Sequence, residues 1–138
     1  MIKYIICFIC LAVIICSCNS DKEPSANNAL EAGRIFIRAS LDGDFKTAEN
    51  VLLNDVENVQ LFDRYKMYYR NLPEDKKQNY KNSSYEINKY LDVSDSVTII
   101  NYSNSFMKKP MEIKLVKKEK KWMIDFKYTS EDNQPIDK

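Results

Sequence analysis

The chain has 138 residues, 30% charged and 44% hydrophobic, which are the proportions of one ordinary globular domain rather than of a disordered tail. Lys and Arg number 21 against 20 Asp and Glu, so no net field draws the chain to nucleic acid, and no nucleic-acid partner is expected. Histidine is absent and only two glycines are present, which removes the usual general base and the commonest metal ligand and leaves no glycine-rich phosphate cradle.

At the N-terminus Lys3 precedes an unbroken apolar run of 13 residues, Tyr4 to Cys16, the pattern of a secretory signal. A bilayer-spanning helix needs about 20 apolar residues, and Ser17 to Ser20 follows without a basic stop-transfer cluster. Ile15-Cys16-Ser17-Cys18 resembles the lipobox of bacterial lipoproteins, with an aliphatic residue at −3 and a small residue at −1 before the cysteine. The resemblance implies cleavage after Ser17 and acylation of Cys18, because the lipid is attached through a thioether and two or three acyl chains hold a protein stably in a membrane. Residues 1–17 are thus expected to be a signal peptide and 18–25 a lipidated tether, with the protein anchored in the outer membrane through Cys18. The plain alternatives are an ordinary signal peptide cut nearby and a buried hydrophobic helix. Ser20-Asp21-Lys22-Glu23 is similar to the acidic export signal of Bacteroidetes-type surface lipoproteins, although any tether is polar, so the periplasmic or surface side stays open.

All four cysteines, Cys7, Cys10, Cys16 and Cys18, lie in this segment. A mature chain keeps only the lipidated one, which leaves no disulfide framework, zinc-thiolate site or cysteine nucleophile, and no cofactor is expected.

A single domain is expected over residues 26–128. Ser25 is placed to cap a first helix whose stripe runs through Ala26, Ala29, Leu30, Gly33, Phe36, Ile37, Ser40 and Leu41. Gly43 permits the left-handed turn that ends it, and Asp44 caps a short second helix carrying Phe45, Ala48, Val51 and Leu52. A third helix is predicted from about Asp55 to Asn71, with Val56, Val59, Phe62, Tyr65, Tyr69 and Leu72 inward, stopped by Pro73. Residues 74–81 suit a short exposed helix.

From Ser84 the period changes to two. Tyr85, Ile87, Leu91 and Val93 form the inward side of a first strand, interrupted by Lys89. In the second strand Val97 and Ile99 share one parity, Ile100 and Tyr102 the other, which asks for a bulge or a second covered face. Met111, Ile113 and Leu115 point inward from a third strand. The fourth is read through Trp122, Ile124, Phe126 and Tyr128, with Asp125 facing away from the core and a frayed tail over 129–138. Helices followed by four consecutive antiparallel strands make an α+β architecture.

Ala32 to Leu53 reads A-x-x-x-F-I-x-A-x-x-x-G-D-F-x-x-A-x-x-x-L-L and is followed by the four-strand meander ending in Lys121-Trp122-x-Ile124. This pattern resembles the nuclear transport factor 2-like superfamily and, within it, small Bacteroidetes-type envelope lipoproteins. The resemblance implies N-terminal helices packed on a curved, cone-shaped, cystatin-like sheet with a pocket at its open end. Enzymes of that kind place an Asp or His with Tyr in the pocket. Here His is absent and no Asp takes an inward parity, so a non-catalytic domain that binds a small ligand or an envelope partner is expected.

Candidate ligand contacts are Trp122 as pocket floor, Tyr65 and Tyr69 as rings with a polar tip, and Lys89 or Arg38 as the cation orienting a bound anion. The plain alternatives are that Lys89 reaches into solvent and Arg38 pairs with Asp42 one turn later. The charge is polarised: residues 18–63 carry 4 basic and 9 acidic side chains, residues 64–128 carry 15 and 8. A weak homodimer is expected through an outer sheet face of Tyr90, Ile100, Tyr102, Val116 and Met123. Two other readings compete: an accessory envelope subunit using that face, and an isomerase or hydrolase working with carboxylate and tyrosine alone.

Overall fold

The computed structural model describes residues 26–132; the signal segment, Cys18, the tether to Ser25 and residues 133–138 lie outside the described residues. Four helices come first: α1 (Ala29–Asp42), α2 (Phe45–Glu49), α3 (Val56–Asn71) and α4 (Glu74–Asn82). Strands β1 (Tyr85–Ser94), β2 (Val97–Asn104), β3 (Pro110–Lys118) and β4 (Lys121–Asp125) follow, and α5 (Phe126–Asp132) closes the described chain. The sheet has the order β1-β2-β3-β4 with every neighbour antiparallel, the α+β meander expected.

Helix α1 starts later than expected: Asn28, not Ser25, is its cap, and its side chain accepts from the Glu31 N–H at 2.8 Å. Its apolar stripe is buried against β2, β3 and β4. At Gly33 the approach is closest. A Cβ there would stand 2.5 Å from Ile100 Cδ1, so any larger residue would force the buried Ile100 side chain to shift. Gly43, at φ 71°, ends α1 in the left-handed conformation, and Asp44 accepts from Thr47 N–H to start α2, as the sequence implied.

Helix α3 turns a different face inward. Phe62 and Tyr69 are buried as expected, but Val56 is 74% and Val59 36% exposed. The buried stripe is Asn58, Phe62, Tyr65 and Tyr69, and at 100° per residue this phase puts Val56 on the opposite side. The phase is held by a polar residue. Asn58 is fully buried, its Nδ2 donates to Asp55 Oδ2 at 2.8 Å and Asp125 Oδ1 at 3.4 Å, and its Oδ1 accepts from the Lys127 N–H at 2.9 Å.

The same contact explains where the fourth strand ends. Lys114↔Asp125 is the last pair of the β3–β4 ladder, and just beyond it the Lys127 backbone N–H donates to Asn58 Oδ1. The chain therefore enters α5 at Phe126, although the alternating pattern runs on to Tyr128. Thr129, assigned to a frayed tail by its polarity, is 3% exposed in that helix. Asp125 does point away from Ile124, yet it is only 9% exposed and pairs with Lys114 at 3.2 Å.

Strand β1 carries a bulge between Ile87 and Lys89, where Asn88 Nδ2 donates to Asn101 and Ser103 side chains. The bulge reverses the parity. Lys89 then pairs with Asn101 on the outer face and does not interrupt a buried row, while Leu91 and Val93 turn outward and are exposed. In β2 the buried parity is Thr98, Ile100, Tyr102 and Asn104. Ile100 and Tyr102 are thus core residues, not members of an outer face. The outer face gathers other residues: Leu91 opposite Ile99, and Val97, Val116 and Met123 in one cross-strand row. The far edge of the sheet is covered, since Leu53 N–H donates to Ile124 O at 2.9 Å and Ile124 N–H to Val51 O at 2.7 Å.

Gly33→Ala gains about 1 kcal/mol of helix propensity but loses about 1–3 kcal/mol to overpacking, because the atom it meets belongs to a fully buried Ile100. The variant is expected to lower the urea midpoint, and adding Ile100→Val, which removes the Cδ1 methyl, should recover most of the loss.

Candidate functional site

The candidate site is a cavity of about 40 Å³ between α1, α3, α4 and the ends of β2 and β3. Helix α1 contributes Ile37, Ser40 and Leu41, the C-terminal turn of its buried stripe. Helix α3 contributes Tyr65, Tyr68 and Tyr69, which its Asn58-set phase turns inward. Tyr80 enters from α4, Tyr102 and Asn104 from β2, Met107 from the β2–β3 turn and Met111 from β3. Asp42, Arg38 and every other charged side chain are absent from this lining.

Aromatic contacts hold the walls. Tyr69 meets Phe45 edge-on at 5.1 Å, Tyr80 meets Phe106 edge-on at 4.9 Å, and Tyr65 leans on Phe62 and Phe126 at 5.8 Å. The Tyr69 hydroxyl donates to Leu41 O at 3.4 Å and the Tyr80 hydroxyl to Met107 Sδ at 2.9 Å. Burial pushes the Tyr65 and Tyr102 hydroxyls well above the ordinary phenol range, helped at Tyr65 by Tyr102, Tyr80 and other neighbouring phenols and at Tyr102 by Tyr80. Tyr69 is raised for the same first reason. The wall therefore stays neutral through physiological pH.

Two of the lining residues carry a fully buried polar atom with no hydrogen-bond partner among the described residues, Ser40 Oγ and Asn104 Nδ2. Ser40 is 8% and Asn104 3% exposed. Buried polar groups are nearly always satisfied, and these two atoms, with Thr129 Oγ1, are the exceptions among the described residues.

Of the residues singled out from sequence, Tyr65 and Tyr69 line the cavity. Trp122 does not: it sits half-buried on β4 with Lys117 Nζ 5.8 Å over its ring. Lys89 is on the exposed part of β1. Arg38 is engaged internally, with Nε and Nη2 on Asp42 at 3.0 and 2.8 Å, Nη1 on Ser83 O at 2.9 Å and Nη2 on Lys81 O at 3.3 Å. It thereby ties the end of α4, which buries no residue of its own, to α1. Cys18 lies outside the described residues.

Sequence reasoning missed Ser40 and Asn104 as a pair. A hydroxyl inside an apolar helical stripe was a visible signal for Ser40; Asn104 was hidden because the β2 parity was ambiguous. A second, shallow depression around Phe45, Arg70 and Lys77 is open to solvent, and none of the unsatisfied buried atoms lines it. The described residues hold no group of three or more metal-ligating side chains, and no described helix is long and apolar enough to cross a membrane. Comparison with family models, with curated proteins and with solved structures gave no match to this chain.

The raised hydroxyls set an alkaline limit. Both phenols are favoured in their neutral form by the fold, so their contribution to stability is whole below the ordinary value of 10.0 and is lost as pH rises above it. Absorbance titration at 295 nm should leave the signal of Tyr65 and Tyr102 to appear only in a cooperative step above that value that coincides with loss of circular dichroism. A smooth, complete titration with the fold intact would contradict the burial of these two groups.

Proposed function

We propose that this is a lipid-anchored protein of the bacterial cell envelope, held in the outer membrane through Cys18, whose single domain binds a small ligand without catalysing a reaction. The observation that carries the binding reading is the neutral, tyrosine-walled cavity between the helices and the sheet. Catalysis is disfavoured because a general base needs a group that titrates near the working pH, and the only titratable side chains in this lining are tyrosines, three of them shifted upward. Helices preceding a four-strand antiparallel meander, with the cavity between the two layers, are compatible with the nuclear transport factor 2-like fold and its conical pocket. The lipobox Ile15-Cys16-Ser17-Cys18 supports the anchor.

Cys18→Ala should abolish incorporation of an alkyne fatty-acid analogue and leave the precursor uncleaved in expressing cells. Labelling that persists in the variant would remove the anchor from this reading.

A second reading, self-association through the outer sheet face, is favoured by one observation: Leu91, Val93, Val97, Ile99, Val116 and Met123 cluster there, with Leu91 44% and Val93 56% exposed. Sedimentation velocity is expected to show a concentration-dependent dimer that Ile99→Lys converts to monomer. A monomer at high micromolar concentration in the parent would eliminate it.

A further inference from the structure

We infer that the β3–β4 hairpin docks on the anionic phospholipid surface of the membrane that holds the anchor, with the cavity end of the domain turned away from it; the inference rests on the acylation of Cys18 proposed above. Lys117, Lys118, Lys120 and Lys121 crowd this hairpin, all exposed, and none is ion-paired with a described residue. The β1–β2 turn lies beside it, since Lys117 N–H donates to Ser96 O at 2.8 Å. Glu119 and Asp95 are the acidic side chains of the two turns, which together keep a net positive charge.

The hairpin is built at a cost. Lys118 stands directly opposite Lys121, a like-charge pair that destabilises a ladder unless an anion lies near it. Glu119 and Lys120 between them take φ 48° and 69°, the left-handed geometry that Asn-Gly meets most cheaply and that strains residues with longer side chains. The chain thus accepts both repulsion and strain to hold charged side chains at the tip. Behind them lies its only tryptophan. Trp122 is half-buried opposite Lys117, whose Nζ is 5.8 Å from the ring centroid, and an indole among ammonium groups is the composition of a membrane–water boundary.

The direction of α1 brings this end to the anchor. Gly33 lies over Ile100 and Ile113, while Ser40 and Leu41, further along the helix, meet Tyr102, Asn104 and Met111 at the cavity. In the β2–β3 ladder those residues are at the end opposite Val97 and Val116, so α1 starts toward the hairpin end and runs to the cavity end. The chain therefore enters the domain at Ala26 on the hairpin side. Cys18 is eight residues earlier, a reach of at most about 28 Å, which keeps the lysines near the headgroups of the anchoring membrane. Each lysine near an anionic leaflet multiplies the docked population about fivefold.

The test uses the full acylated protein reconstituted into vesicles of phosphatidylcholine, alone or with about 30% phosphatidylglycerol. Flotation with the neutral vesicles reports the anchor, and Trp122 emission reports docking. On anionic vesicles the emission is expected to shift to the blue and its quenching by acrylamide to fall about threefold relative to neutral vesicles. About 0.5 M NaCl should return both to the neutral-vesicle values by screening. Lys118→Gln/Lys120→Gln/Lys121→Gln should do the same by lowering the docked population about a hundredfold. The salt result carries the test if that variant does not fold. A protein that does not float with neutral vesicles loses the anchor, and this inference with it. A protein that floats on both but gives one Trp122 signal on both keeps the anchor and overturns the docking. A Trp122 response on neutral vesicles that grows with protein density is contact between copies, and a response insensitive to salt is not lysine docking; either overturns the inference.

Discussion

The distance between α1 and the sheet is the constraint on which the rest of this structure depends. Ala29, Ala32, Gly33, Phe36, Ile37 and Ser40 make one buried face, and its narrowest point is Gly33 over Ile100 and Ile113. Small residues early in the helix let it lie against β2 and β3; larger ones further along it, Phe36 and Ile37, fill the space toward Phe62 and Phe126. The stripe's last turn carries Ser40 and Leu41 into the cavity lining. A helix set further out would separate Ser40 from the β2 end that holds Asn104, so the packing of a glycine governs a spacing about two turns away.

Two polar clusters show opposite states of satisfaction. Around Asn58 donors and acceptors are matched among Asp55, Asp125 and Lys127, and Lys114 neutralises Asp125. This network is structural: it sets the phase of α3, ends β4 and starts α5, and a buried network of this kind specifies one arrangement because any other leaves charges unpaired. Around Asn104 the oxygen side is equally complete, as the cap of the β2–β3 turn, but the nitrogen side is not. Arg38 belongs with the first kind. Its guanidinium spends its donors on Asp42 and on two carbonyls at the end of α4, holding Tyr80 against the cavity.

Neutrality inside and charge outside are separated in the same way. The basic side chains of the β3–β4 hairpin, among them Lys117, Lys118, Lys120 and Lys121, stay at the surface, where Lys117 rests over Trp122. The cavity, by contrast, is walled by phenols that burial keeps protonated. An uncharged wall of hydroxyls, rings and one amide suits recognition by hydrogen bonding and shape, and it offers little to proton-transfer chemistry at neutral pH.

Much of the architecture was legible in the chain because it depends on local rules. The switch from a period near 3.6 to a period of two at Ser84, the left-handed stop at Gly43, the cap at Asp44 and the inward row Met111, Ile113 and Leu115 each follow from the residue and its immediate neighbours, and each is present in the fold. What failed was decided by contacts between distant segments. Val56 and Val59 are apolar, yet a buried Asn58 bonded to residues 67 and 69 positions away turned their helix. Phe126 and Tyr128 continue a strand pattern, yet the β3–β4 ladder ends at Asp125. Lys89 seemed to interrupt a buried row until a bulge beside it reversed the parity, and Ile100 and Tyr102 seemed to face outward because Val97 and Ile99 are equally apolar. The candidate site divides likewise. Tyr65 and Tyr69 could be chosen from helical spacing, whereas Ser40 and Asn104 share a cavity only after α1 has closed on the sheet, since periodicity assigns a residue to a face and only packing between elements decides what that face meets.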